Sequence, residues 1–273
     1  MQTENIVSCP IELFRSVNLD YTRLTIETLD CTNFELHDFP ISPKEYLKFA
    51  RQDLKDKDDR GLINALSNAK RCIDCLIEST LIGLHFNIGK ELSTDIIDFC
   101  NNILSDEDKE IQPNQLKLFT ALGLAPSILI SEVRLLRNKI EHDYELPKRN
   151  EVIKAIEVAE LLINNVTLKR FDSYTILISD TKNNNNGIMI DTDYNKNNII
   201  SFELVSGNIP SKDRFHRESK YILNGNESIY CYLLRTMIIA EQDEENLLDT
   251  IKLLINKVSP EQPNQYIKIK EIK

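Results

Sequence analysis

The stretch Arg137-Asn138-Lys139-Ile140-Glu141-His142-Asp143-Tyr144-Glu145-Leu146-Pro147 carries the side chains best suited to chemistry in this chain. A guanidinium holds phosphate or carboxylate oxygens with several donors at once. An imidazole moves protons near neutral pH, an amide can orient either partner, and a phenol adds an aromatic face with a hydroxyl. Arg137, Asn138, His142 and Tyr144 therefore suit an anionic substrate and proton transfer. A plainer reading stands beside this one. Arg137 and Glu141 have the spacing of an ordinary helical ion pair, and a histidine near a helix C-terminus interacts well with the helix dipole.

A helix must position these residues. Apolar spacing predicts one over 127–144, limited by Pro147, which biases the residue before it away from helical geometry. On a wheel advancing about 100° per residue, Leu129, Val133, Leu136 and Ile140 share one sector and define the expected buried face. Arg134, Arg137, Asn138, Glu141 and His142 fall on the side turned away from it. Arg137 and His142 stand about 140° apart on that wheel. The helix thus offers a half-site that needs a second surface, and a two-fold axis beside it would supply one.

The surrounding pattern is helical. Ser42-Pro43-Lys44-Glu45 combines an N-cap serine, a proline in the first turn and a capping-box glutamate. A long helix follows over 61–84, with Leu62, Leu66, Ala69, Ile73, Leu76, Ile77, Thr80 and Leu84 as its apolar stripe. Further helices are expected over 94–104, 113–122 and 149–165, joined by short connections as in a bundle. Residues 1–40 are β-leaning and too short to fold alone, so they are expected to join a larger sheet. From Phe171 the pieces SYTILISD, NGIMIDTD and NIISFELV read as strands, with Asn186-Gly187 as a hairpin turn. A helical stretch over 228–256 and the alternating YIKIKEIK complete the expected module. The predicted class is α+β, with segment 1–40, a helical bundle over 41–170 and a small α+β module over 171–273.

Composition narrows the function classes. Net charge is −10, divided as −5 over 1–40, −2 over 41–170 and −3 over 171–273, with no Lys/Arg stripe of the kind that binds nucleic acid nonspecifically. No apolar run has the length of a membrane span, and the start MQTENIVSCPIELF lacks the pattern of a secretory signal. Cys72 and Cys75 form a C-x-x-C inside a helical pattern, where residues three apart are neighbours without any chemistry, so buried thiols are expected rather than a redox or metal pair. A cytoplasmic protein without metal or other cofactor fits these features. His216-Arg217 is a further anion-contact candidate, set against a plain surface loop or strand edge.

Arg137-x4-His142-x-Tyr144 resembles the Arg-x4-His-x-Tyr motif of the HEPN superfamily, particularly the HEPN toxins paired with a minimal nucleotidyltransferase. LLRNKIEHDYELP is similar to the motif helix of HEPN proteins, and RQDLKDKDDRGLINALSNAKRCIDCLIES to their earlier long helices. The resemblance covers about residues 41–170 and implies a bundle of HEPN type. It implies a homodimeric, metal-independent endoribonuclease whose two motifs meet between subunits, acting as a toxin or antiviral effector. By that resemblance Arg137 holds the scissile phosphate, and His142 serves proton transfer around 2′-OH attack, leaving a 2′,3′-cyclic phosphate. Asn138 orients the histidine or the substrate. Tyr144 matches the tyrosine that a nucleotidyltransferase partner modifies in some toxin systems, so the partners implied are RNA, a second copy and such an operon-encoded protein. The compact toxins lack a module like 171–273, and Glu141, Asp143 and Glu145 crowd the motif with acid. A non-catalytic HEPN assembly or regulatory protein is therefore the alternative.

Overall fold

The computed structural model describes residues 5–29, 37–89, 91–168, 175–180, 186–195, 199–208, 216–223, 227–240 and 244–272. In chain order the elements are β1 (Asn5–Ile6), α1 (Pro10–Val17), β2 (Leu24–Leu29), α2 (Pro43–Asp53), α3 (Asp59–Gly83), α4 (Thr94–Ile103), α5 (Asn114–Ala121), α6 (Ser127–His142), α7 (Arg149–Leu168), β3 (Thr175–Asp180), β4 (Asn186–Asn195), β5 (Ile199–Asn208), β6 (His216–Leu223), α8 (Ser228–Ile239), α9 (Glu244–Val258) and β7 (Ile269–Ile272). The fold is α+β. The chain divides into two compact units, Glu35–Arg170 and the discontinuous pair Met1–Phe34 with Phe171–Lys273.

The unit Glu35–Arg170 is helical. Its first helix starts where the sequence says it should: the Ser42 hydroxyl accepts from the Glu45 N–H, and the Glu45 carboxylate accepts from the Ser42 N–H at 2.8 Å. Those bonds hold the Glu45 carboxyl below its ordinary pKa, the backbone bond contributing most. The N-cap of α3 is Asp58, which accepts from the Gly61 N–H at 2.7 Å. Gly61 is required there, because a Cβ would lie 2.7 Å from the Asp56 Cβ and 2.8 Å from the Asp53 carbonyl oxygen. The central element is α3, packed against α2, α5, α6 and α7. It buries Ala65, Leu66, Ala69, Cys72, Ile73, Leu76 and Leu81, each large aliphatic contributing roughly 1.5–3 kcal/mol by leaving water.

The other unit is built on one seven-stranded sheet of order β1-β6-β5-β4-β3-β2-β7. Strands β3 to β6 form an antiparallel meander, β2 joins β3 antiparallel, and β7 and β1 add parallel edges on β2 and β6. The strand β3 is buried along its whole length. Leu177, Met189 and Val205 lie in one cross-strand row and cluster together. On the opposite face Phe202 meets Tyr230 of α8 edge-on, with ring centroids 5.0 Å apart. Helix α1 packs over β4, β5 and β6.

Three local expectations are corrected. Pro10–Val17 is a helix, not a β-leaning piece, because Leu13, Phe14 and Val17 recur at helical spacing and bury together. Asn186-Gly187 is not the hairpin turn: both residues already lie in β4, with Gly187 opposite Ser179, and the connection 181–185 lies outside the described residues. The stretch expected to run helical over 228–256 is two helices, α8 and α9. His216 and Arg217 belong to β6, between β5 and β1 in the sheet, opposite Asn208 and Gly207 beside an irregularity in register.

Candidate functional site

The candidate site is the C-terminal half of α6 with the turn that follows. Among the described residues, the buried positions of this helix are Ile130 and Val133, while Leu129, Leu136 and Ile140 are only half-covered. Val133 belongs to both faces, and the centre of the buried face is rotated from the expected one by roughly half a residue, a turn of about 60° on the wheel. The reason lies in composition. Ile128, Leu129, Ile130, Val133, Leu135, Leu136 and Ile140 surround much of the helix, so its apolar direction is weakly defined. Polar contacts then influence which side faces the bundle. Arg134 reaches Asp74 of α3 at 3.3 Å, and Lys70 pairs with the same carboxylate.

This rotation separates the candidate residues into two sets. Arg137 follows Ile130 and Val133 along the inward side. Its side chain is 29 % exposed and it forms an ion pair with Glu141. Arg134 and Arg137 thus do not belong to the outward face on which the wheel set them. Asn138 and His142 are exposed, as are Glu141, Asp143 and Glu145. Among the described residues, no side-chain hydrogen bond or ion pair joins Arg137, Asn138, His142 and Tyr144 to one another.

The helix ends in an unusual way. The Lys139 carbonyl accepts from the Asp143 N–H at 2.9 Å and from the Glu145 N–H at 3.3 Å. Between those donors Tyr144 sits in the left-handed region, with φ 57°. Glycine is the usual residue there, because a Cβ is strained in this conformation. Asn18 caps α1 in the same region, but asparagine tolerates it better than tyrosine. The Tyr144 side chain is 86 % exposed, so packing does not account for its presence. Pro147 is buried, and α7 then begins with the Glu151 carboxylate accepting from the Lys148 N–H at 2.8 Å. Arg149 ties that start to the Leu54 carbonyl at the end of α2, at 3.0 Å.

Beside the site a cleft of about 330 Å³ opens between α6 and α7. Val133, Ala155 and Val158 are the covered residues of its lining, with Leu135 and Leu136 beside them. Glu132 and Lys154 join across it at 2.6 Å, and Lys139 and Glu151 complete the polar rim. Ile128, Leu135, Leu146 and Leu161 are each more than half exposed around this part of the unit. The sequence reading missed these residues, although Ile128, Leu135 and His142 lie seven apart and therefore share a stripe. A second cleft, about 370 Å³, is lined by Phe39, Tyr46, Arg71, Asp74, Cys75 and Glu78. Burial, and then the Asp74 carboxylate, push the Glu78 carboxyl up.

Of the C-x-x-C thiols, Cys72 is buried as expected and Cys75 is half-buried beside the second cleft. Burial pushes Cys72 up to about 12 and Cys75 up to about 11, so both are protonated at neutral pH. Among the described residues, no group of three or more His, Cys, Asp or Glu is arranged to hold a metal ion, and no helix is long and apolar enough to cross a membrane. No protein family, curated protein or solved structure among those compared matches this chain.

Proposed function

We propose that this protein is a metal-independent endoribonuclease of HEPN type, cleaving RNA at a site on α6 that lies at a dimer interface in a reducing cytoplasm. One observation carries the reading. The turn after α6 holds an 86 %-exposed tyrosine in a strained backbone conformation, two residues beyond an exposed histidine. Backbone strain and an uncovered aromatic contribute nothing to this fold, whereas both suit a surface that meets a ligand.

In this reading His142 takes the proton from a ribose 2′-OH as that oxygen attacks the adjacent phosphorus. The new P–O2′ bond forms, the P–O5′ bond breaks, and the departing 5′ oxygen takes a proton from solvent water, to which His142 later returns its own. The products are a 2′,3′-cyclic phosphate and a 5′-hydroxyl. DNA, which lacks the nucleophile, is not cut. Arg137 contacts the phosphate as charge develops on it. To do so it exchanges its half-buried ion pair with Glu141 for the phosphate. Asn138 orients the histidine or the substrate, and Tyr144 contacts RNA or serves as the site at which a nucleotidyltransferase partner modifies the chain.

The test is cleavage of single-stranded RNA by the purified chain in EDTA, beside Arg137→Ala and His142→Ala. The expected result is cutting by the native chain and loss of at least about 10²-fold with either variant. Undiminished cutting by His142→Ala would overturn the mechanism. A second reading, a non-catalytic assembly or regulatory protein, draws on the Arg137–Glu141 pair and the apolar surface around α6. Absence of cleavage together with intact complex formation by both variants would favour it.

A further inference from the structure

We propose that the second cleft, between the arm Phe39–Ile41, α2 and α3, binds a free oligopeptide of about three small residues and holds it by both of its charged ends. The site is separate from the polar motif on α6, and it stands whether or not the chain cuts RNA.

Helix pairing lays the cleft out. Helices α2 and α3 form an antiparallel hairpin, and near its connection the Asn68 amide donates to Asp53 at 2.8 Å. Toward the other end, the Cys75 thiol donates to the Ile41 carbonyl at 3.5 Å and the His37 N–H to the Ser79 carbonyl at 3.2 Å. This register sets Tyr46 at the Arg71 level of α3 and Phe39 at the Glu78 level. All four line the cleft. Its volume of about 370 Å³ lies at the small end of ligand sites, which run from roughly 300 to 1,000 Å³.

The charges already engaged decide the ligand. Asp74, midway along the α3 wall, gives one oxygen to Arg134 at 3.3 Å and the other to Lys70, so it is closed to a further cation. Arg71 and Glu78 form no ion pair among the described residues, and Arg71 makes only a 3.4 Å contact with the Asn68 amide oxygen. Burial and the Asp74 charge push the Glu78 carboxyl toward its neutral form, and a cation beside it opposes both. The cleft therefore ends in a free guanidinium on one side and a free carboxyl group on the other.

At 1.5 Å rise per residue, the seven positions from Arg71 to Glu78 span roughly 10 Å. An extended tripeptide separates its ammonium and carboxylate by roughly the same 10 Å. A single amino acid carries both charges on one carbon and does not reach. Seated along the cleft, the peptide's carboxylate meets Arg71 and the Tyr46 hydroxyl, which makes no hydrogen bond among the described residues. Its ammonium meets Glu78 and the Phe39 ring. The Phe39 and Ile41 N–H groups also make no hydrogen bond among the described residues. The arm thus offers donors to peptide carbonyls, as unpaired backbone does when a strand is added.

Calorimetric titration of the full-length chain with trialanine tests this, beside N-acetyl-trialanine, trialanine amide and ω-aminooctanoate. Saturable binding of trialanine is expected, and each blocked peptide should bind about tenfold more weakly or worse. Arg71→Ala should bind trialanine no better than its amide, and Glu78→Gln should bind it no better than the N-acetyl form. Neither substitution touches Cys72, Ile73 or Leu76 in the buried stripe of α3, so both variants should keep the native circular dichroism. Absence of trialanine binding overturns the proposal, as does equal binding of the blocked peptides by the native chain. Discrimination retained by either variant at its own end also overturns it. Binding of ω-aminooctanoate as tight as that of trialanine overturns the peptide assignment.

Discussion

Helices α6 and α8 are both rich in aliphatic residues, yet the fold treats them in opposite ways. Along α8, Ile229, Tyr230, Leu233, Leu234, Met237 and Ile238 are all buried, and Thr236 satisfies its hydroxyl on the Leu233 carbonyl at 2.6 Å. Arg235 still reaches Thr250 of α9 at 3.1 Å. Burial raises the Tyr230 phenol well above its ordinary value. Along α6, Ile130 and Val133 are buried while Ile128 and Leu135 lie open. Apolar content alone does not separate a structural helix from an interaction helix. Cover separates them, because an aliphatic side chain left in water gains nothing from folding and becomes available for association.

The contrast can be broken by mutation, and the largest effect should fall on α8. Leu233→Ala removes a fully buried side chain and should cost about 2–5 kcal/mol in urea unfolding. A small loss there would mean that α8 is not the closed element described. On α6, His142→Ala should leave unfolding within roughly 0.5 kcal/mol of native, while RNA cleavage falls by about 10²-fold or more. Parallel loss of both would reduce the histidine to a structural role.

Smaller effects sharpen the same division. Tyr144→Gly relieves the left-handed strain and should raise stability by about 1 kcal/mol, measured by thermal unfolding. A stability decrease would show that the tyrosine side chain is held in place after all. Cys75 on α3 tests closure through pH. With its pKa pushed up to about 11, the reactive thiolate is scarce at neutral pH and grows as pH rises toward that value. Alkylation by iodoacetamide followed by mass mapping should therefore be slow at neutral pH and accelerate into the alkaline range. Rapid neutral alkylation would reopen the C-x-x-C as a chemical site. Leu135→Ala, finally, should change the stability of the monomer by no more than about 0.5 kcal/mol, the smallest effect of the set.

Much of the helical order was legible because its signals are local. Ser42 and Glu45 lie three residues apart and form the capping box their types suggest. The apolar stripe from Leu66 to Leu84 is buried along α3 and at its end. The start of α1 was harder to read, since Cys9 at its N-cap makes no side-chain capping bond. The break between α8 and α9 was also missed, within an acidic run that contains neither proline nor glycine. At the candidate site, the types and positions of Arg137, Asn138, His142 and Tyr144 were legible. The inward turn of Arg137, the left-handed Tyr144 backbone and the exposure of Leu135 were not.

By itself the sequence determined the α+β class, the helical run over 41–170, the strands that follow it and the location of the polar motif near a helix end. Periodicity, caps and proline act over a few residues, so one chain segment is enough to express them. Only the tertiary structure decided which side of α6 is buried. That helix is apolar around much of its circumference, and its rotation depends on neighbours that local spacing does not specify. Asp74, on α3, takes Arg134 at 3.3 Å, Arg137 turns to Glu141, and His142 stays outside in line with Ile128 and Leu135. The motif's residues were written in the sequence, and their division between an inward arginine and an outward histidine came from packing.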